Sequence, residues 1–303
     1  MKIVLSILAT VLPVLLALVI GMLCREKKFL TREGVDALKK VVINITLPAV
    51  LVNAFATAQY DRTSIIIPSV VFGLCCLALV VGFGLAKVMK LGRLSAFLAT
   101  GFEAGMLGYA LFVLLFPKEP TSTFAIADIG QTVFVFTLYK ALLSGKNGWK
   151  AVIHDIITSP IIWAIIAGVL LGATGLYRTT EGFGGIFDAV TSFISAPTGM
   201  IILLVVGYDL NLKEIRWKDT AGLIILRLIA MAVILGVAVL LNTYVLSGML
   251  HMGAILLMLL LPPPYVLPIF STDESQRARL SSALSALTLV TMILFAIMAI
   301  VIR

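Results

Sequence analysis

Three consecutive prolines, Pro262, Pro263 and Pro264, interrupt an apolar stretch that is otherwise long enough to cross a lipid bilayer. Proline lacks a backbone N–H group and clashes with the preceding turn, so no continuous helix passes through these positions. Backbone groups freed inside a membrane need partners from the protein or from a water-filled cavity. A helix broken at mid-membrane is typical of a binding site for a transported solute. The alternative is a kinked helix that only packs.

A second interruption is predicted in the apolar stretch Leu94–Phe116, at Gly105 and Gly108, with Glu103 in the turn just before it. The last turn of a helix carries partial negative charge, and burial removes solvent, so both disfavour an ionised carboxylate. We therefore expect Glu103 to be protonated or bound to a cation, as a coupling group for H⁺, or less readily for Na⁺, would be. The alternative is a structural carboxylate paired with Arg227 or with a polar backbone group.

Each interrupted stretch would present the N-terminus of a second half-helix at its break. Such ends carry partial positive charge and free N–H groups, so they attract anions. Tyr109 and Tyr265 follow the two breaks and are expected either to offer hydroxyl groups to the site or to pack. The sequence predicts that an anionic ligand is bound between the breaks by Glu103, Gly105, Gly108, Tyr109, Pro262, Pro263, Pro264 and Tyr265.

Other polar residues lie within apolar stretches, where ionisable groups are costly and often functional. Asp128 and Gln131 are three residues apart and share one helix face, so Asp128 is a second candidate for ion or proton coupling beside Glu103. Solvation near the membrane surface is the alternative for this pair. For Arg227 we expect either extension to the interface or pairing with Asp209, with direct contact to an anionic substrate as the alternative.

Supporting polar and metal-binding groups are few. Asn44 and Asn53 are expected to form hydrogen bonds between helices. The two histidines, His154 and His251, are far apart in the sequence, so neither a metal site nor a Ser-His-Asp catalytic set is supported. The sequence contains no glycine-rich nucleotide-binding loop. We expect no metal, no cofactor and no enzymatic activity.

The composition predicts an all-α membrane protein. Hydrophobic residues make up 61% of the chain and charged residues 13%, and the mean hydropathy is +1.13. A soluble domain would carry about twice that share of charged residues. The net charge of +8 belongs to loops, so no nucleic-acid partner is expected. Ten spans are predicted: Ile3–Leu23, Lys40–Ala58, Ile65–Met89, Leu94–Phe116, Thr121–Leu143, Val152–Tyr177, Ile186–Asp209, Thr220–Asn242, Leu250–Phe270 and Leu280–Ile302.

Lys and Arg are concentrated in the loops that follow the odd-numbered spans. The loop after the first span alone carries six of them: Arg25, Lys27, Lys28, Arg32, Lys39 and Lys40. Because positive residues stay on the cytoplasmic side, both termini are predicted outside the cytoplasm, in a multi-pass protein of the cell membrane.

Ten spans with both ends on one side predict a repeat of five plus five, covering residues 1–150 and 151–303 of a single membrane domain. Five is an odd number, so the second half would be inverted relative to the first. Pro48 and Pro197 occupy matching spans, and each follows a hydroxyl residue two positions earlier, Thr46 and Ser195. The broken fourth and ninth spans also match, and they would cross within the membrane.

Several stretches together resemble the auxin efflux carrier family of permeases, which includes plant auxin carriers and bacterial carriers of malonate, malate and related carboxylates. The resemblance covers nearly the whole chain and rests on short motifs: Ile45-Thr46-Leu47-Pro48-Ala49-Val50, Ser159-Pro160-Ile161-Ile162 with Gly168 and Gly172, Ala196-Pro197 leading to Gly207, and Leu261-Pro262-Pro263. It implies the fold of the bile-acid:sodium symporters, with ten spans, an inverted repeat, and crossed fourth and ninth helices.

The resemblance also implies a scaffold of spans one, two, six and seven, often dimeric, against which the transport spans three to five and eight to ten move. The chain departs from the family in one span. Members typically carry Asn where Glu103 stands and Pro where Ala110 stands, although the glycines match at Gly105 and Gly108. A carboxylate in place of an amide could favour proton coupling, a cationic substrate or a neutral one.

Three functions remain open from the sequence. The leading one is a secondary transporter of small organic anions, with carboxylates favoured and Glu103 as a proton-responsive group. The second is a cation/proton antiporter in which Glu103 binds the ion. The third is an intramembrane enzyme or a sensor, for which the sequence shows neither a nucleophile–base set nor a signalling domain. The substrate, the coupling ion, the direction of transport and the oligomeric state are not fixed by the sequence.

Overall fold

The computed structural model describes residues 2–58, 60–144, 150, 153–154, 157–179, 183–210, 215, 217–265, 267 and 274–302, and within them the chain forms helices and turns without a β-strand. The all-α class is therefore confirmed. Among the described residues, five helices are long and apolar enough to cross a membrane: Thr63–Val88, Thr121–Leu143, Gly184–Asp209, Trp217–Tyr244 and Ala278–Val301. They match the predicted third, fifth, seventh, eighth and tenth spans.

The total of ten spans and the inverted repeat remain predictions. A shorter apolar helix, Pro160–Ala173, lies in the predicted sixth span, whose predicted start at Val152 lies outside the described residues. The predicted end of the ninth span at Phe270 lies outside them too.

The chain folds as two compact units, and each is built from several separate stretches. The first unit comprises Met1–Ile65, Gly105–Ile126 and Ile153–Asp209, and the second comprises Ile66–Ala104, Ala127–Val152 and Leu210–Arg303. In chain order the α-helices are α1 Lys2–Glu26, α2 Arg32–Val41, α3 Leu47–Ala56, α4 Thr63–Val88, α5 Tyr109–Leu115, α6 Thr121–Phe134, α7 Lys140–Ser144, α8 Pro160–Ala173, α9 Leu176–Thr179, α10 Phe183–Ser195, α11 Thr198–Asp209, α12 Trp217–Tyr244, α13 Met252–Leu260 and α14 Glu274–Val301.

The first unit is assembled through glycines that let helix backbones approach closely. A Cβ atom on Gly207 of α11 would clash with the carbonyl oxygen of Leu18 in α1. A Cβ atom on Gly168 of α8 would lie 2.7 Å from Cβ of Phe55 in α3. Small residues at such contacts are how helices associate where lipid offers no hydrophobic driving force. The predicted first span thus packs on the seventh and the second on the sixth, which are equivalent pairs under the predicted repeat.

The amphipathic helix α2 is attached to the end of α11 by charged groups. Asp209 accepts a hydrogen bond from Arg32 and forms an ion pair with Lys39 at 2.7 Å. Partial burial opposes the charge on Arg32, but the Asp209 carboxylate outweighs it and raises the pKa of the guanidinium. Thr31 caps the N-terminus of α2 by accepting a hydrogen bond from the backbone N–H of Gly34. Asp209 therefore has cationic partners on α2.

The second unit holds the first part of the predicted fourth span and the described part of the predicted ninth span. A 3₁₀ helix, Arg93–Ala99, forms the first part of the fourth span and contacts α12, and it packs beside α4, where Gly82 faces Ala96. Helix α13 forms the first part of the ninth span and contacts both α12 and α14. The long helix α12 therefore supports both broken spans.

Replacing Gly207 by Ala is expected to destabilise the protein, although alanine favours a helix by about 1 kcal/mol over glycine. The added methyl group would overlap the backbone of α1, and overpacking typically costs about 1–3 kcal/mol. Thermal unfolding of the purified protein in detergent measures the effect. The control is Gly185→Ala on α10, where no heavy atom lies within 4 Å of the added Cβ. Equal unfolding temperatures for the two variants would contradict the close contact.

Candidate functional site

The fourth span is broken at residues 100–103, two to five residues before Gly105. Residues 100–103 are not helical, whereas Gly105 and Gly108 lie in a π-helical turn, Ala104–Gly108, that leads into α5. The prediction that the break lies at Gly105 and Gly108 is therefore wrong. The cause is Gly101, whose φ of +69° is in the left-handed region that residues with a Cβ atom rarely adopt. Gly101 therefore ends the 3₁₀ segment and turns the chain.

The two breaks meet within the second unit. The backbone N–H of Glu103 donates to the carbonyl of Pro262 at 2.9 Å. A Cβ atom on Gly101 would lie 2.9 Å from Cγ of Pro264, so only glycine fits beside the proline run. On the other side, the Thr100 hydroxyl donates to the Cys75 carbonyl of α4 at 2.8 Å. The break is therefore a fixed structure with hydrogen bonds on both sides.

At the ninth-span break, two charged side chains take the places of the donor and the acceptor of one missing backbone hydrogen bond. In an unbroken helix the N–H of Tyr265 would donate to the carbonyl of Leu261, four residues earlier. Here the Tyr265 N–H donates to Oε2 of Glu103 at 2.8 Å, and the Leu261 carbonyl accepts from Nη2 of Arg227 at 2.7 Å. A carboxylate thus satisfies the donor that the prolines leave, and a guanidinium satisfies the acceptor.

Arg227 also binds the fourth span. Its Nη1 donates to the carbonyls of Leu98, at 2.7 Å, and Gly101, at 3.2 Å, and its guanidinium carbon lies 5.0 Å from the centre of the Phe102 ring. Only 2% of Arg227 is exposed, so the expected extension to the membrane interface is wrong. The expected pairing with Asp209 is replaced by these carbonyls, which lie at the ends of two helical segments and carry partial negative charge.

Glu103 also differs from expectation in its position. The sequence placed it in the last turn before a break, whereas the structure places it after Gly101 and directly before the turn Ala104–Gly108. It therefore precedes a helical segment rather than ending one, and this position favours a negative charge. Its carboxylate accepts from the Tyr265 amide, so the alternative of a carboxylate bound to a backbone group is the one the structure favours.

Asp128 and Gln131 form a buried polar pair beside the fourth-span break. The side-chain amide of Gln131 donates to Oδ1 of Asp128 and to the carbonyl of Phe102, each at 3.1 Å. The exposed fractions are 6% for Asp128 and 5% for Gln131, so solvation at the membrane surface is ruled out. Oε1 of Gln131 has no hydrogen-bond partner among the described residues. A buried acceptor without a donor is costly, and a water molecule, a ligand or a protonated group would satisfy it.

The two tyrosines differ in their surroundings. Tyr265 lies in the second unit, and its hydroxyl shares a hydrogen bond with Thr288 of α14 at 3.0 Å. Tyr109 lies in the first unit with Gly105 and Gly108, and its ring packs edge-to-face on Phe124 with centroids 5.1 Å apart. The contacts of Tyr109 favour the packing role that the sequence left open.

The supporting residues of the first unit have mainly structural contacts. Asn53 donates to Asp188 and Thr191 of α10, each at 2.8 Å, so its predicted bonds between helices are confirmed. Asn44 instead donates to the carbonyl of Lys40, one turn earlier. Pro48 follows a π-helical turn at the start of α3, and Pro197 separates α10 from α11. A role for these residues in transport remains a prediction.

Three features of the site were not predicted from the sequence: Gly101, the Leu261 carbonyl and the hydrogen bond between Thr100 and the Cys75 carbonyl. A signal for Gly101 was present, since it lies two residues before an acidic residue in an apolar stretch. Backbone carbonyls leave no trace in a sequence. No group of three or more His, Cys, Asp and Glu side chains that could hold a metal ion is found in the part of the chain that the structure describes.

Arg227→Met is expected to destabilise the protein strongly. The variant would leave three carbonyls without their donor, and each buried unsatisfied carbonyl costs about 1–3 kcal/mol. Arg227→Lys should recover only part of the loss, because an ammonium group lacks the planar fork that reaches both spans. Thermal unfolding in detergent is the measurement, with Arg93→Met, at an exposed arginine, as the control. An unchanged unfolding temperature for Arg227→Met would contradict the bridging role.

Comparison with known proteins gives one useful similarity. No family model matches the chain. The chain is similar to a protein named "Uncharacterized transporter" from Methanothermobacter thermautotrophicus (strain Delta H), with 25% identity over 217 residues, which cover 68% of this chain and 69% of that protein. The chain is therefore an α-helical protein with apolar helices of membrane-spanning length and a similarity to a transporter.

Proposed function

We propose that this protein is a secondary transporter of small organic anions, with carboxylates as the favoured class. One observation carries the proposal: two helical breaks meet inside the second unit, and a buried guanidinium and a carboxylate satisfy their backbone groups. The similarity to a protein named as a transporter supports the general class. Membership in the auxin efflux carrier family is part of the proposal and rests on the motifs quoted above.

The proposed site is made of residues of the second unit. Arg227 supplies positive charge near the breaks without any need for a buried metal. Glu103 and the Tyr265 amide form the part that responds to protons, and Asp128 with Gln131 extends the polar region. Sites of this kind bind solutes at mid-membrane because broken helices there expose polar backbone groups in a low-dielectric setting.

The mechanism we propose is alternating access, in which one bundle moves past the other. The scaffold would contain spans one, two, six and seven, and the transport bundle would contain spans three to five and eight to ten. A homodimer formed through the scaffold, a place in the cell membrane and termini outside the cytoplasm belong to the same proposal. The resemblance and the distribution of Lys and Arg support these parts.

A cation/proton antiporter is the second candidate. The buried carboxylate Asp128 favours it, because antiporters of this kind usually carry more than one carboxylate within the membrane, and Glu103 lies at the neighbouring break. In this function Glu103 would bind the transported ion. The two functions differ in whether an organic substrate is needed for flux.

Transport into liposomes tests the proposal directly. Liposomes that contain the purified protein should take up labelled malonate or malate, and an acidic exterior should accelerate the uptake. Glu103→Gln should lose the acceleration, because the variant cannot exchange a proton at this position. Glu119→Gln, at an exposed carboxylate in a loop, is the matched control and should behave as the wild type.

The same liposome experiment can also contradict the proposed anion transport. Proton or Na⁺ flux that proceeds without any organic anion, together with no carboxylate uptake, would contradict the anion transporter and support the antiporter.

A further inference from the structure

Tyr265 carries the first backbone N–H group after the three prolines of the ninth-span break. Prolines carry no N–H group, and the N–H of Leu261 already donates to the carbonyl of Leu257 at 3.2 Å. The next N–H along the chain is that of Tyr265, which donates to Oε2 of Glu103. The amide group that this break offers to an anion is therefore held by an anion of the chain itself.

Two N–H groups at the fourth-span break already have acceptors within the second unit. The N–H of Glu103 donates to the carbonyl of Pro262, and the N–H of Ala104 donates to the carbonyl of Phe102 at 2.8 Å. A substrate carboxylate that approaches the meeting breaks thus competes with Glu103 for the Tyr265 amide. The acceptor side is not part of this competition, since Arg227 keeps the Leu261 carbonyl whichever carboxylate holds the amide.

Two ionised carboxylates at one donor repel each other strongly in a partly buried site. The repulsion is relieved when one of them takes up a proton. Aspartic proteases show the general principle, since two adjacent carboxyl groups share one proton there.

We propose that Glu103 is a resident substitute for the substrate carboxylate, and that a bound substrate anion displaces it from the Tyr265 amide while Glu103 takes up one proton. The proton comes from solvent and joins a carboxylate oxygen of Glu103, and no other covalent bond forms or breaks. The inference rests on the proposed function and deepens it, because it states how one anion becomes coupled to one proton.

A second observation supports uptake of a proton at this break. A protonated carboxyl group carries an O–H donor, which the ionised form lacks. Gln131, whose amide nitrogen binds the carbonyl of Phe102 next to Glu103, keeps a buried Oε1 without a partner among the described residues. This buried acceptor is unused while Glu103 is bound to Tyr265, and a protonated carboxyl group close to it would supply a donor.

Other titratable and charged groups lie on the segments around the site. They are Cys75 on α4, Asp128 on α6, Tyr139 after α6, Arg227 on α12 and the Tyr265 hydroxyl. Near neutral pH, tyrosine hydroxyl groups and cysteine thiols are neutral and arginine is charged, so these groups do not take up the proton there. Asp128 is the other carboxyl group and is therefore tested separately.

Calorimetric titration of the purified protein with malonate counts the protons. The titration is repeated in two buffers that differ in their heat of protonation, above the pH range in which malonate itself binds protons. We expect one proton taken up per malonate bound by the wild type. Over the pH range where Glu103 of the free protein is ionised, affinity should fall about tenfold for each unit of pH.

Variants assign the proton to its group. Glu103→Gln and Glu103→Ala should bind malonate with no proton uptake and with little dependence on pH. At high pH the alanine variant should bind malonate more tightly than the wild type, because no side chain at position 103 occupies the Tyr265 amide. The exposed control Glu119→Gln should retain the uptake of one proton, and Asp128→Asn tests whether the other buried carboxyl group takes it up instead.

Malonate binding to the wild type without proton uptake would overturn the inference and leave the proposed function standing. Proton uptake that survives in both Glu103 variants, or that is lost in Asp128→Asn alone, would also overturn it. Absence of binding of malonate and malate to the wild type and the variants at every pH would contradict the proposed function and the inference together.

Discussion

A single missing backbone hydrogen bond organises this site. The three prolines prevent the N–H of Tyr265 from reaching the carbonyl of Leu261, and buried backbone groups need other partners. Glu103 satisfies the donor and Arg227 satisfies the acceptor. The charges are opposite because the unmet groups are opposite: an amide prefers an anion, and a carbonyl prefers a cation. A break that would otherwise cost several kcal/mol thus becomes a stable feature.

The two charges differ in how firmly they are held. Arg227 has three carbonyl partners from two spans and is almost fully buried, so its removal would disturb the whole arrangement. Glu103 is only partly buried, and the Tyr265 amide it accepts from is a group that any carboxylate can use. A firmly held cation beside a partly buried carboxylate is consistent with the proposed anion transport, which requires a site that releases its ligand as well as binds it.

The sequence revealed the parts of this arrangement that depend on unusual residues. Three prolines in a row and a glutamate in an apolar stretch are visible without a structure, and the long apolar helices were placed to within a few residues. The break of the fourth span was misplaced because three glycines, Gly101, Gly105 and Gly108, were available, and only the backbone angle identifies the first. The partners of Arg227 were missed because they are carbonyl groups, which every residue carries.

The position of Glu103 relative to the neighbouring helical segments decides whether the helix dipole favours its negative charge. At the end of a helix the carboxylate would be opposed by the local dipole, whereas at the start of the following segment it is favoured. A shift of a few residues therefore reversed one of the two arguments for a protonated resting state. We therefore infer that Glu103 is ionised and accepts from the Tyr265 amide in the absence of substrate. Protonation of Glu103 then follows from substrate binding.

The resonance of the Tyr265 amide in protein labelled with ¹⁵N-tyrosine tests this account most directly, because the amide reports which group it donates to. The account predicts that the signal shifts as Glu103 is titrated with acid, shifts when malonate is added, and no longer titrates in Glu103→Gln. A Tyr265 amide signal that is unaffected by pH, by malonate and by the substitution would contradict it.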